Sequence, residues 1–149
     1  MSHVEAIEGE YLDLESMRDA FTRLGGEWME GQQTYEWWNS HVGDYPIPAG
    51  MKKEDLGKCE HAVRFPGTKW EVGVINNPTG KGYTVIYDFY GSSGAPLKRA
   101  MGGVKGEEFK RQYGIAVAKK TARSHGYRVQ EKLLANGETE LRCVKRGRY

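Results

Sequence analysis

Cys59 and His61 stand two positions apart, and this pair is the most reactive combination of residue types in the chain. A thiolate beside an imidazole can act as nucleophile and base. The same two side chains can also supply half of a zinc site. A structural zinc site takes four ligands, usually in two pairs. The other histidines are His3, His41 and His125, and the other cysteine is Cys143, so no second pair exists. On a strand, Cys59 and His61 would share a face. A small thiol beside a strand is the simpler reading, and no metal is expected.

Gly91-Ser92-Ser93-Gly94 followed by Lys98-Arg99 invites a phosphate-loop reading. The Walker pattern needs a glycine, four residues and then Gly-Lys-Ser/Thr opening a helix, and it is absent. Lys105 and Gly106 precede a predicted helix whose free N–H groups suit an anion. Glu107 and Glu108 occupy that same end and oppose one. The chain offers neither a Ser-His-Asp pattern nor paired carboxylates. It therefore reads as a binding protein rather than an enzyme, with no catalytic residue and no cofactor.

Charge is the stronger signal. Residues 1–74 carry 7 basic and 14 acidic side chains, and residues 75–149 carry 15 basic and 6 acidic, so a formal charge of +2 hides halves of −7 and +9. Such asymmetry suits a polyanionic partner for the basic half. The competing expectation is that the acidic half neutralises the basic half on folding. Arg111, Lys119 and Arg123 lie off the apolar face of the second predicted helix, and Lys145 belongs to the basic tail with Arg142, Arg146 and Arg148. These four, Arg111, Lys119, Arg123 and Lys145, are the expected anion-binding residues, with Tyr90 stacking on an unpaired base. The expected partner is a nucleic acid or a nucleotide-like ligand. The alternative is a protein-interaction module, for instance one docking on a host protein. It would use the aromatic cluster Tyr35, Trp37 and Trp38 beside the Pro/Gly-rich segment 39–58, because exposed aromatics anchor interfaces.

The elements that must position these residues follow from spacing. His3–Glu8 alternates weakly, as a strand does. Asp13 suits a helix N-cap. Leu14, Met17, Phe21 and Leu24 then recur at threes and fours, and Gly25 suits the closing left-handed residue, predicting a helix over 13–25. Residues 28–38 read as a strand or short hairpin, and 39–58 as a long loop that could serve as lid or docking loop. Strands are predicted at 61–65, 70–75 and 83–90. Residues 91–106 read as a glycine-rich connector. Glu107-Glu108 opens a second helix with Phe109, Tyr113, Ala116 and Val117 on one face, ending at His125-Gly126. Asn136-Gly137 then predicts a hairpin of 127–133 with 139–146. Helices and strands do not alternate as parallel crossovers require. The expected fold is α+β: a single mostly antiparallel sheet with two helices on one face, in the order β-α-β-β-β-β-α-β-β.

Composition bounds the rest. The chain has 149 residues, which fits one domain over 1–149. Apolar residues make up 38% and aromatics 11%, which argues against disorder by composition. Apolar runs last only a few residues, far short of a membrane span. No basic, apolar leader follows Met1. With two cysteines and no disulfide framework, a cytoplasmic location is expected.

The two ends of the chain also carry a resemblance. It lies in Met1-Ser2-His3, Asp13-Leu14-Glu15 and the Leu24-Gly25 stop, then in Tyr113, Val117, Lys119 and Ala122, and in Gly126-Tyr127-Arg128-Val129-Gln130-Glu131 with its Asn136-Gly137 turn. The middle adds Tyr45-Pro46-Ile47-Pro48, the run from Asp55 to Ala62, Trp70-Glu71-Val72-Gly73-Val74 and Asp88-Phe89. These segments resemble the hypothetical chloroplast reading-frame family, small soluble proteins of unknown function in cyanobacteria, algal plastids and tailed phages, the middle block looking most like the phage-type members. The resemblance implies compartment and fold class, and it implies no activity, cofactor or site residue.

Overall fold

The computed structural model describes residues 3–38 and 46–145. Val4–Tyr11 forms β1, Leu14–Arg23 α1, Glu27–Met29 β2, His61–Arg64 β3, Glu71–Asn76 β4 and Tyr83–Asp88 β5. Gly91–Met101 forms α2, Glu107–Ser124 α3, Tyr127–Leu133 β6 and Thr139–Lys145 β7. The first five strands make one antiparallel sheet in the order β1-β5-β4-β3-β2. The α+β class expected from the sequence is the one observed. No helix of the described residues is long and apolar enough to cross a membrane.

The central strands β4 and β5 are buried on both faces. Alternation then sends two different sets of side chains to two different cores. Val72, Val74, Val85 and Tyr87 face one cluster, closed by Met17, Ala20 and Phe21 of α1, Leu97 and Met101 of α2, and Phe109 of α3. Ile75 and Ile86 face the other, closed by Tyr35 and Leu56 with Trp37, Met51 and Cys59 packed around them. Residues 30–38 and 46–60 therefore serve as the lid of the second face.

Two buried carboxylates fasten that lid. Glu71 Oε1 accepts the Glu36 backbone N–H at 3.0 Å and the Gln32 side-chain amide at 2.9 Å. Asp88 Oδ2 accepts the Trp38 N–H at 3.3 Å, while its Oδ1 accepts the His3 and Tyr90 N–H groups at 3.1 and 3.0 Å. Gly73 makes the fit possible, because a Cβ there would lie 2.5 Å from the Tyr35 ring.

Four sequence expectations change. The stretch 91–106 is not a plain connector, since its first eleven residues form α2, with Pro96 inside the helix. Gly94 allows α2 to start against the end of β5, where a Cβ would meet the Phe89 backbone at 2.3 Å. Among the described residues the fold thus has three α-helices rather than two. In 28–38 no hairpin forms: β2 is Glu27–Met29, and Thr34 makes an isolated bridge to Lys58. Of the expected loop 39–58, residues 39–45 lie outside the described residues, and a 3-10 turn occupies Lys53–Asp55. Lastly, β6 and β7 do not extend the main sheet but form a two-stranded sheet of their own.

Asp13 occupies the N-cap position of α1, yet its side chain bonds no backbone N–H of the first turn. Its carboxylate instead accepts from Ser16 Oγ at 2.5 Å and from Lys120 Nζ at 3.0 and 3.1 Å.

Candidate polyanion interface

The β6–β7 hairpin begins from its turn. Gly137 takes φ of +86°, a conformation open to glycine. Its N–H donates to the Leu134 carbonyl at 3.0 Å, Leu134 N–H donates to Glu138 O at 2.8 Å, and Asn136 Oδ1 accepts the Glu138 N–H at 3.0 Å. The loop is therefore one residue longer than the two-residue Asn-Gly turn, with glycine at the left-handed position. Pairing runs from Leu133↔Thr139 to Tyr127↔Lys145.

Alternation divides this ribbon into two faces. Val129, Glu131, Leu141 and Thr139 belong to the face toward the helices. Glu131 receives both terminal nitrogens of Arg23 from α1 at 2.6 Å and also pairs with Lys119 of α3. These two cations hold the Glu131 carboxyl down to about 2, the Arg23 hydrogen bonds contributing most. Arg111 of α3 pairs with Glu108 at 2.7 Å and donates to the Gly137 carbonyl in the hairpin turn at 2.9 Å. Nearby, Lys120 bridges α3 to Asp13 and Glu15 of the acidic half.

Two of the four expected anion-binding residues are thus engaged in holding the hairpin to the body: Arg111 and Lys119. Arg123 lines a groove between α1 and α3 that also contains Glu15, Asp19 and Lys120. Lys145 sits opposite Tyr127 at the open end of the ribbon. The four do not form one patch. Tyr90 lies at the Asp88 end of β5, while α3 packs toward the Tyr11 end of β1. The structure therefore separates Tyr90 from the charges it was expected to assist.

The other face of the ribbon carries Arg128, Gln130 and Lys132 of β6 and Glu140, Arg142 and Val144 of β7. Arg128, Gln130, Lys132, Glu140 and Arg142 are all exposed. Arg128, Lys132 and Arg142 form no ion pair among the described residues. Arg128 and Lys132 are about 13 Å apart along the strand. The period-two alternation of 127–133 together with the Asn136-Gly137 turn was the available sequence signal for Arg128 and Lys132.

The aromatic cluster also divides. Tyr35 is 3% exposed and belongs to the second core, so it offers no surface. Trp37 is half-buried, whereas Trp38 is 51% and Tyr90 43% exposed. Trp38 lies 6.0 Å from the Trp70 ring, and Tyr90 stands edge-on to His3 at 4.5 Å. Asp88 connects both backbones.

Cys59 and His61 do not share a face. Cys59 packs into the second core and donates to the Gln32 carbonyl at 3.2 Å, and burial pushes its thiol up to about 12. His61 packs on the Trp28 ring at 5.2 Å, and its Nδ1 accepts the Gly31 N–H at 2.9 Å. Among the described residues no three His, Cys, Asp or Glu side chains are grouped to hold a metal ion.

No protein-family model, curated protein or solved structure matches the chain.

Proposed function

We propose that the protein is a non-enzymatic binding protein that engages the phosphate backbone of a nucleic acid along the outer face of the β6–β7 ribbon. The observation that carries this reading is the row Arg128, Lys132 and Arg142, exposed and without ion-pair partners among the described residues, on a ribbon whose opposite face is fastened by Arg23, Lys119 and Arg111. Fixed cations on an open surface suit a polymer of phosphates. A free nucleotide would need an enclosing pocket, so the polymer is favoured over the nucleotide-like ligand. Lys145, paired with Tyr127, falls by alternation on the opposite face and is not part of this row. The phage and cyanobacterial setting suggested by the resemblance is compatible with such a partner. Titration with RNA, DNA and nucleotides at low and moderate salt tests the reading. Polymer binding that weakens with salt and with Arg128→Ala/Lys132→Ala is expected, and absence of binding at low salt refutes it.

A second reading keeps the protein-docking alternative in reduced form. Its support is the convergence of Trp38 and Tyr90 on Asp88, which sets two exposed aromatics on one fixed frame. Aromatic side chains held rigidly are effective interface anchors. A partner lost in Trp38→Ala and retained in Trp37→Ala supports this reading, and a partner retained in both removes it.

A further inference from the structure

The β6–β7 ribbon has an open edge whose chemistry is self-complementary. Both edges of the two-stranded ribbon lack a strand partner among the described residues; β6 is the strand that packs against α3, so the edge away from that helix is that of β7. Among the described residues no strand pairs with it. Because Leu134 N–H donates to Glu138 O, 134/138 is a hydrogen-bonded pair. Backbone direction alternates along an antiparallel strand. Glu140 and Arg142 therefore turn their N–H and C=O groups toward Lys132 and Gln130. Thr139, Leu141 and Cys143 turn theirs outward.

We propose that β7 pairs with β7 of a second copy of this chain, antiparallel, about a two-fold axis at Leu141, giving a continuous four-stranded ribbon. At that axis the two Leu141 residues exchange both backbone hydrogen bonds. On either side Glu140 stands opposite the second copy's Arg142, and Arg142 opposite its Glu140, both in the closer, non-hydrogen-bonded positions, so that in the dimer Arg128 and Lys132 are the cations of the outer face left for phosphate. The other registers lack this match. Centring on Thr139 sets Glu138 against Glu140, a like-charge pair, and centring on Cys143 sets Arg142 against Val144. The hydrogen-bond direction limits the axis to Thr139, Leu141 or Cys143, and the charge order then selects Leu141. A lone two-stranded ribbon is marginal in water, and doubling it supplies the strands it lacks. The arrangement is isologous and closes as a dimer, so it caps an edge that would otherwise invite open-ended pairing.

The test is the mass of the full-length protein by sedimentation across a concentration series, with charge exchange. The wild type should show a concentration-dependent dimer. Glu140→Arg and Arg142→Glu, taken singly, should each weaken dimerisation at least about tenfold by facing like charges. The double exchange Glu140→Arg/Arg142→Glu should restore it. A second measurement is covalent. In this register position 139 faces the second copy's Cys143, with Cα atoms about 5.5 Å apart, inside the range a disulfide spans. Thr139→Cys should give an oxidised dimer. Its own Cys143 is about 13 Å away along the strand, too far for an internal bond. A monomer at every concentration, single charge variants that dimerise like the wild type, or no covalent dimer from Thr139→Cys would each overturn the proposal.

Discussion

Arg23 and Glu131 meet end to end, both terminal guanidinium nitrogens on the two carboxylate oxygens at 2.6 Å, across 108 residues of sequence. This pair joins the acidic β-α start of the chain to its basic end. Arg23 Nε also reaches Gln112 of α3 at 2.7 Å, so one side chain ties α1, α3 and β6 together. The C-terminal ribbon has no fully buried residue, and polar contacts of this kind set its position.

The first prediction concerns acid. Arg23 and Lys119 hold the Glu131 carboxyl down to about 2 in the folded protein, against 4.5 for an ordinary glutamate. Between these values the unfolded chain binds the extra proton, so acid favours unfolding. The stabilisation from this group is complete above about pH 5 and is lost as pH falls through 4.5 toward 2. Solvent screening at this partly exposed site reduces its worth to about 1 kcal/mol. Glu131→Gln should lower stability at neutral pH and flatten the stability curve between pH 5 and 2, as read by urea melts at several pH values.

A second prediction concerns the lid over the second core. Gly73→Ala places a methyl group against the Tyr35 ring. Overpacking of this kind costs about 1–3 kcal/mol. Thermal denaturation should show the loss. Because Tyr35 sits on Gly73, the combined Gly73→Ala/Tyr35→Ala variant should cost less than the two single changes added together.

Asp88 gives a third. Asp88→Ala leaves the N–H groups of His3, Trp38 and Tyr90 without their acceptor. The expected cost is about 3 kcal/mol, given hydrogen bonds to a charged group. Amide exchange at Trp38 and Tyr90 should quicken more than exchange in the distant ribbon. Uniform quickening would show that Asp88 acts on global stability alone.

Thiol reactivity gives a fourth. Cys143 is exposed, while the Cys59 thiol is partly buried and pushed up to about 12. One thiol should react quickly with an alkylating reagent at pH 8 and the other slowly, with mass mapping assigning the fast site to Cys143. Equal rates would contradict the packing of Cys59.

Much of the fold was legible because hydrophobic spacing reports burial. Leu14, Met17 and Phe21 announced α1, and Tyr83–Asp88 announced β5. α2 was missed because its opening Gly91-Ser92-Ser93-Gly94 carries turn composition. Its stability comes instead from Leu97 and Met101 in the core and from the contact that Gly94 permits. Tyr35 looked like an interface residue because its neighbours are aromatic, and no local pattern shows which strand will leave room for it. The charge split was visible, but not which cations would find carboxylates. Arg111 and Lys119 are consumed by Glu108 and Glu131, one nearby in sequence and one on another element. Arg128 and Lys132 were signalled by strand alternation, a local property.

Salt-dependent binding of a single-stranded oligonucleotide, by fluorescence anisotropy, bears most directly on the ribbon as a phosphate-binding surface. Affinity should be highest at low salt and fall linearly in log–log form. The Arg128→Ala/Lys132→Ala variant should reduce the steepness of that line by roughly 1.4, two phosphate contacts at about 0.7 each. Lys69→Ala, an exposed cation on the turn before β4, should leave it unchanged. No binding at low salt, or a slope unaltered in the double variant, would contradict the account.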